Sequence, residues 1–96
     1  MSGTTLFAVT NPATEAVIER LPAATEADAD AAVERAAAAF EGWRAVAPAD
    51  RSRLLRRLAE HLDADRERLA QLEMRNTGKP IGDARAEMGM VVDTWT

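Results

Sequence analysis

The sequence predicts a short β-hairpin followed by about three α-helices, within at most one small domain. Ninety-six residues are too few for a second folded unit. A turn signal separates two β-prone stretches near the start of the chain. From residue 25 onward, apolar side chains recur at helical spacing between helix start and stop signals. The fold class therefore rests on one turn and on three amphipathic segments.

The hairpin is predicted over residues 6–22. Residues 6–10 form the first strand, residues 16–21 form the second, and Pro22 closes it. Between them, Asn11 and Pro12 are typical turn residues, because proline presets φ and asparagine bonds its own backbone. An isolated two-stranded hairpin is only marginally stable in water, so we expect it to pack on something else.

The first helix is predicted to begin after Thr25, which with Asp28 forms a capping-box pattern. We expect Gly42 to end this helix and Trp43 to follow as an anchor on the loop. Its buried stripe is predicted to consist of Ala29, Val33, Ala36 and Phe40.

The second helix is predicted to begin at Pro48, with Asp50 in its first turn. Its leucines form one seam that lacks a step at Asp65, so we expect a bend or a restart at residues 63–65 rather than a straight helix. The seam consists of Leu55, Leu58, Leu62, Leu69 and Leu72.

The third helical segment follows a clear stop, in which Gly78 provides a left-handed C-cap and Pro80 opens the next segment. The helix lacks a terminating signal, so we expect it to be still running at Thr96 and the chain to be cut within an element. Its apolar stripe is predicted to be Ile81, Ala84, Met88, Val91 and Trp95.

Composition excludes several classes of function. The formal net charge of −4 argues against nucleic acid as the main partner. The chain contains no cysteine, which excludes a disulfide framework, a thiolate metal site and a cysteine nucleophile within these residues. It has no signal-peptide pattern and no run of the ~20 apolar residues that cross a bilayer, so we expect a cytoplasmic protein without membrane contact.

The order of the motifs resembles the N-terminal segment of the NAD(P)-dependent aldehyde dehydrogenase superfamily, as in betaine aldehyde, aminoaldehyde and semialdehyde dehydrogenases. The similarity covers about residues 6–96, and it rests on the order and spacing of the motifs rather than on any single one. They are Val9-Thr10-Asn11-Pro12-Ala13-Thr14, Val17-Ile18, residues 24–43, residues 51–59, Leu72-Glu73 and Thr77-Gly78-Lys79-Pro80.

The resemblance implies an α/β parent enzyme with a Rossmann-like cofactor domain. Residues 1–96 would be the incomplete N-terminal part of that cofactor-binding domain, with the hairpin at 6–22 and helices over 25–96. Relatives usually carry a further strand pair before the Asn-Pro turn, most of which this chain lacks. The complete enzyme would form a homo-oligomer, either a dimer or a tetramer.

By the same resemblance, the complete enzyme would oxidise an aldehyde to a carboxylic acid with NAD or NADP through a cysteine thioester. The family's catalytic and dinucleotide-binding residues lie beyond Thr96. We therefore assign no catalytic or cofactor-binding residue within this chain, and we expect the chain alone to be inactive and to need no cofactor. The alternative is a free-standing, non-catalytic helical interaction module or a decayed gene product.

Three positions match residues that hold a monovalent cation in some relatives: Val9 and Thr10 through their carbonyls, and Asn76. Oxygen ligands suit a hard cation. The alternative is that Val9 and Thr10 pair within the hairpin and Asn76 caps a helix. Relatives often have aspartate at the position of Asn76, and a further ligand would come from outside these residues.

Other candidate residues have simpler structural explanations. His61, the only histidine, cannot form a histidine metal cluster, and a partly exposed structural role is expected. Met90, Val91 and Trp95 fall on the segment that borders the substrate tunnel in relatives, but side chains of this kind at helical spacing are more often core.

Overall fold

The structure is a computed structural model, and it describes residues 5–96. Residues 1–4, on which the signal-peptide argument partly rests, lie outside the described part of the chain. The elements are β1 (Leu6–Thr10), β2 (Val17–Pro22), α1 (Glu26–Arg44), α2 (Pro48–Ala64), α3 (Arg66–Thr77) and α4 (Ile81–Thr94). The predicted order of a hairpin followed by helices is confirmed, with four helices instead of about three.

Strands β1 and β2 pair as an antiparallel hairpin. The register runs from Leu6 opposite Pro22 to Val9 opposite Glu19, after which Thr10 lies opposite Val17. This shift leaves Ile18 as the extra residue of a β-bulge, and bulges increase the local twist of a hairpin.

The turn of the hairpin uses the predicted asparagine. The Asn11 side-chain oxygen accepts a hydrogen bond from the Ala13 amide at 2.9 Å, and the Asn11 amide donates to the Ala16 carbonyl at 2.8 Å. Glu15 has a φ of 64°, a left-handed conformation that is unfavourable for residues with a Cβ atom. The turn is therefore held by its hydrogen bonds despite local strain at Glu15.

Helix α1 begins at the predicted capping box. The Asp28 amide donates to the Thr25 hydroxyl at 3.1 Å, and the Thr25 amide donates to the Asp28 carboxylate at 2.9 Å. The predicted end was wrong, because α1 continues through Gly42 and Trp43 to Arg44. The chain keeps right-handed helical geometry as far as its C-cap, so Gly42 has no special conformation to supply.

The predicted burial of α1 was also wrong. No residue of α1 is buried, and the side chains of Val33 and Phe40 are 68% and 55% exposed. Apolar periodicity identifies which side of a helix is apolar, but burial requires another element to cover it. Among the described residues, no element covers this side of α1 to that extent.

The predicted interruption of the second helix is confirmed as a restart. Helix α2 ends at Ala64 and α3 begins at Arg66, with Asp65 between them at φ −102° and ψ 11°. The Asp65 amide reaches both the His61 and Leu62 carbonyls at 3.2 Å, as in a tightened last turn. The leucine seam therefore changes direction at this point.

The predicted C-cap at Gly78 is confirmed, with a φ of 75° and a hydrogen bond from its amide to the Met74 carbonyl at 2.9 Å. Helix α4 follows Pro80 but ends at Thr94, so the expectation that it runs to Thr96 was wrong. Its end is capped by the Trp95 amide, which donates to the Val92 carbonyl at 3.1 Å. A helix can end on backbone hydrogen bonds alone, which leave no mark in the sequence.

The molecule is a flat layer. It measures 47 × 43 × 14 Å with a radius of gyration of 17.7 Å, whereas a compact domain of this length has about 12–13 Å. Helix α4 packs on α2 and α3, and the buried apolar residues of the described chain are Ala59, Ala70 and Ala84. No helix in the described residues is long and apolar enough to span a membrane.

Candidate functional site

A groove of about 720 Å³ lies between the hairpin and helices α2, α3 and α4. Most of its lining is apolar. The hairpin contributes Val9, Ile18, Glu19 and Leu21, and the helices contribute Leu62, Leu69, Leu72, Glu73, Arg75, Asn76, Met88 and Val91.

Two of the three predicted cation ligands lie at this groove. Val9 and Asn76 both line it, although they are 67 positions apart in the sequence, whereas Thr10 does not. The register of the hairpin shifts between Val9 and Thr10. The hydrogen bonding between the strands is therefore irregular at the two carbonyls that were predicted to bind a cation. Asn76 lies in the last turn of α3, whose C-cap is Gly78.

The groove offers few groups for chemistry. The described residues contain no cluster of three or more histidine, cysteine, aspartate or glutamate side chains that could hold a metal ion. His61 is exposed on α2 and does not line the groove. Of the other candidates, Val91 on α4 lines the groove, whereas Met90 on α4 is 67% exposed and Trp95, just after α4, is 41% exposed. The groove is thus suited to receiving apolar groups rather than to acid–base catalysis.

An ion-pair cluster holds the corner between α3 and α4 beside the groove. The Lys79 ammonium lies 2.5 Å from the Glu87 carboxylate and 3.7 Å from that of Glu73, and its side chain is 27% exposed. The hydrogen bond to Glu87 is the main cause that raises the pKa of Lys79 above its ordinary value. This cluster joins α3 to α4 through Lys79, which lies between them.

A second ion pair joins α3 to α4, between Glu67 and Arg85. The Arg85 guanidinium donates to both carboxylate oxygens of Glu67, each at 2.9 Å, and Gln71 donates to the same carboxylate at 2.9 Å. The hydrogen bond from Arg85, followed by that from Gln71, lowers the pKa of Glu67 from 4.5 to about 2. The sequence did not indicate this pair, because the partners are 18 positions apart on different helices.

The hairpin turn contacts the helical corner directly. A Cβ atom at Gly78 would lie 2.9 Å from the Pro12 side chain and 3.4 Å from the Ala13 amide. Two of the turn motifs that carry the family resemblance, residues 11–14 and 77–80, therefore meet in space. The sequence analysis identified each motif as a turn but did not predict that they touch. The one hint in the sequence was the presence of Gly78 and Pro12, a small residue and a rigid one, at the two turns.

A single hairpin-and-helix layer with a mainly apolar groove is typical of one part of a larger protein. The model of the aldehyde dehydrogenase family matches residues 1–96. The chain belongs to the aldehyde dehydrogenase family. The predicted resemblance is confirmed.

Individual relatives agree with the family match. An aldehyde dehydrogenase of Emericella nidulans is 42% identical over 83 residues, which are 85% of this chain and 17% of the relative. The crystal structure of an aldehyde dehydrogenase from Burkholderia cenocepacia superposes with a TM-score of 0.90 at 43% identity, over 95% of this chain and 19% of that one. A structure of PnpE with nicotinamide adenine dinucleotide gives a TM-score of 0.80 at 44% identity, over 84% and 17%.

The chain therefore spans less than a fifth of the length of each of these three relatives. The fold, a hairpin followed by helices, is that of the corresponding piece of a solved aldehyde dehydrogenase.

Proposed function

We propose that these residues form the N-terminal part of an enzyme that oxidises an aldehyde to a carboxylic acid with NAD or NADP. The observation that carries the proposal is the family match over the whole chain, combined with a superposition that accounts for only 19% of a solved relative. Within such an enzyme, residues 1–96 would be the incomplete N-terminal part of the cofactor-binding domain. The complete protein would assemble as a homo-oligomer.

The role of this segment in that enzyme is scaffolding. A cysteine thioester is the intermediate implied by the family resemblance, and this chain contains no cysteine. The described residues also offer no metal cluster. The nucleophile and the cofactor-binding loop would therefore be provided by other parts of the protein, and the hydride acceptor would be the nicotinamide of the bound cofactor. The hairpin and the helices of this segment would pack beside those parts and support them.

Val9, Thr10 and Asn76 are proposed to contribute to a monovalent cation site in the complete enzyme. Support comes from the shared position of Val9 and Asn76 at the groove and from the bulge beside Thr10. Carbonyl and amide oxygens fit a hard cation, which takes six or more oxygen ligands, so other parts of the enzyme or water would complete the set. An Asn76→Asp change should strengthen the site by adding a negative charge.

The experiment that tests the function starts from the natural product in its own cells. An antibody against this segment recovers the product, its intact mass is measured, and the recovered material is assayed for aldehyde-dependent formation of NADH or NADPH. A product several-fold heavier than 10.4 kDa that oxidises aldehydes is the expected result. A product of about this mass without associated activity would contradict the proposal and would favour a free-standing interaction module.

A further inference from the structure

We propose that Lys79 is a modification site, and that acylation of its side-chain amine loosens the corner between α3 and α4. The acyl donor would be an activated thioester or ester, and the product would be an uncharged amide. The inference is independent of the proposed function, because it concerns how two helices of this chain are held together. It rests on the position of Lys79, on the two carboxylates that it contacts and on the composition of the chain.

Lys79 lies in the short connection between two packed helices. Helix α3 ends at Thr77, and α4 begins at Ile81. The Lys79 ammonium lies 2.5 Å from a carboxylate oxygen of Glu87 on α4 and 3.7 Å from one of Glu73 on α3. A single positive charge in the connection therefore contacts both helices, which also pack against each other.

The charge of this ammonium decides the sign of the electrostatic interaction at the corner. While it is present, both carboxylates are attracted to the connection. Without it, Glu73 and Glu87 are two negative charges held close together across the α3–α4 contact, and they repel each other. Their side chains are 34% and 45% exposed, so solvent screens this repulsion only in part.

Acylation is a reaction that removes this charge at neutral pH. The hydrogen bond to Glu87 is the main cause that raises the pKa of Lys79, so the ammonium persists to a higher pH than in a free lysine. A pH change within the neutral range therefore leaves the charge in place. Acylation converts the ammonium to a neutral amide, which can still donate one hydrogen bond but no longer neutralises either carboxylate.

The reaction is an acyl transfer to nitrogen. The uncharged amine attacks the acyl carbon of the donor, the N–C bond forms and the C–S bond of a thioester breaks, and the thiol leaves with the proton that the amine gives up. The side chain of Lys79 is 27% exposed, and the neighbouring Gly78 has no side chain, so a small acyl donor can reach the amine.

The composition of the chain makes Lys79 the natural target of amine-directed reagents. It is the only lysine among the 12 lysine and arginine residues. Guanidinium groups stay protonated and do not react as amines under the same conditions. The other amine of the chain is its α-amino group, so a reagent such as N-hydroxysuccinimidyl acetate has two targets that peptide mass spectrometry distinguishes.

The test is amide hydrogen exchange of the 96-residue chain before and after treatment with N-hydroxysuccinimidyl acetate. Exchange over residues 79–88 should become about two- to fivefold faster once Lys79 is acetylated, the range expected for loss of a partly exposed ion pair. Lys79→Gln, which places an uncharged amide there, should have the same effect. Lys79→Arg keeps the charge and should change exchange by less than about 1.5-fold.

Two controls separate the charge from other effects. Acetylation of the Lys79→Arg variant modifies the α-amino group alone and should leave exchange at the corner unchanged. Adding Glu73→Gln to Lys79→Gln removes one of the two repelling carboxylates and should bring exchange back to within about 1.5-fold of the wild type. Far-UV circular dichroism checks that each variant keeps its helices.

Several results would overturn the inference. Acetylation of Lys79 without faster exchange at the corner would show that its charge does not hold the helices. Equal acceleration by Lys79→Gln and Lys79→Arg, or no rescue by Glu73→Gln, would assign the effect to packing of the lysine stem. Acetylation of Lys79 in urea but not in the folded chain would show that acyl donors do not reach the amine.

Discussion

Gly78, the C-cap of α3, is a residue at which the helices contact the hairpin turn. It combines a φ of 75° with a distance of 2.9 Å between the position of an added Cβ and the Pro12 side chain. Either condition alone disfavours a larger residue, and together they require glycine. Its role as a helix cap was predictable from sequence, because Gly78 precedes Lys79-Pro80 at the end of an apolar run. Its contact with the hairpin turn was not predictable from sequence, since the turn lies more than sixty residues away.

Replacing Gly78 with alanine should destabilise the chain by at least about 1–2 kcal/mol, from left-handed strain alone. The measurement is urea unfolding of the 96-residue chain, followed by far-UV circular dichroism. Gly42→Ala is the matched control, because Gly42 lies within α1 and an added Cβ meets nothing within 4 Å. The control should stabilise the chain by about 0.5–1 kcal/mol. Equal effects of the two changes would contradict the assigned role of Gly78.

Glu15 is the strained residue of the hairpin turn, with a φ of 64°. Glu15→Gly should stabilise the hairpin by up to about 1 kcal/mol, because the strain relieved, about 1–2 kcal/mol, exceeds the entropic cost of glycine. Hydrogen exchange of the Asn11 amide, which closes the turn, reports the change. Glu15→Ala keeps the Cβ and should give no such protection. Protection by both variants would show that the glutamate side chain, not its backbone, limits the turn.

At the scale of elements, ion pairs lie both between helices and close to the helix ends. The Glu67–Arg85 pair links α3 to α4 with two hydrogen bonds. The pairs Arg66–Asp63 and Arg68–Asp65 each lie three residues apart in sequence, at the restart between α2 and α3. Pairs of this close spacing were accessible to sequence reasoning, but the Glu67–Arg85 pair depends on how α3 and α4 cross.

The Glu67–Arg85 pair predicts a pH dependence. The pKa of Glu67 is lowered in the folded state from 4.5 to about 2, so the folded state favours the charged form. Its stabilising contribution is therefore complete above about pH 4.5 and is lost as the pH falls from 4.5 toward 2. Urea unfolding measured across this range should show a steeper loss for the wild type than for Glu67→Gln.

The control for this titration is Glu41→Gln, which removes a carboxylate that pairs only with Arg44 within α1. It should leave the acid dependence of the α3–α4 unit close to that of the wild type. An unchanged profile in Glu67→Gln would mean that this pair does not couple the two helices.

Helix α1 shows the limit of prediction at this scale. Thr25 and Asp28 determine where it starts, because a capping box is a local arrangement. Its end was misjudged because a glycine stops a helix only where the chain turns left-handed, and at Gly42 it does not. The apolar residues of α1 do lie along one stripe, as predicted. They stay exposed because no other element of the described residues covers them.

At the scale of the whole molecule, the extended shape predicts weak cooperativity. With its buried core limited to three alanines in the described residues, the isolated chain should be partly helical, melt over a broad range and associate as its concentration rises. Circular dichroism melting and sedimentation velocity at several concentrations measure both properties. A sharp two-state transition of a monomer would contradict this expectation.

The purified chain is also expected to form no NADH or NADPH in the presence of aldehydes. The sequence contains no cysteine, so it cannot form the thioester that the family resemblance implies. The assay follows absorbance of the reduced nicotinamide, with an active, purified aldehyde dehydrogenase as the positive control. Turnover that persists after removal of contaminating enzymes would show that another nucleophile acts in this chain.

The sequence by itself determined the local events of this fold: the Asn-Pro turn, the capping box at Thr25, the restart near Asp65 and the glycine cap at residue 78. It also determined the family, through the order of those motifs. Each depends on residues that are close along the chain, whose backbone preferences act before any tertiary contact forms. Only the tertiary structure decided that Val9 and Asn76 share a groove, that Pro12 rests against Gly78 and that α1 stays uncovered. These depend on how separate elements meet, and periodicity within one element does not specify its partner.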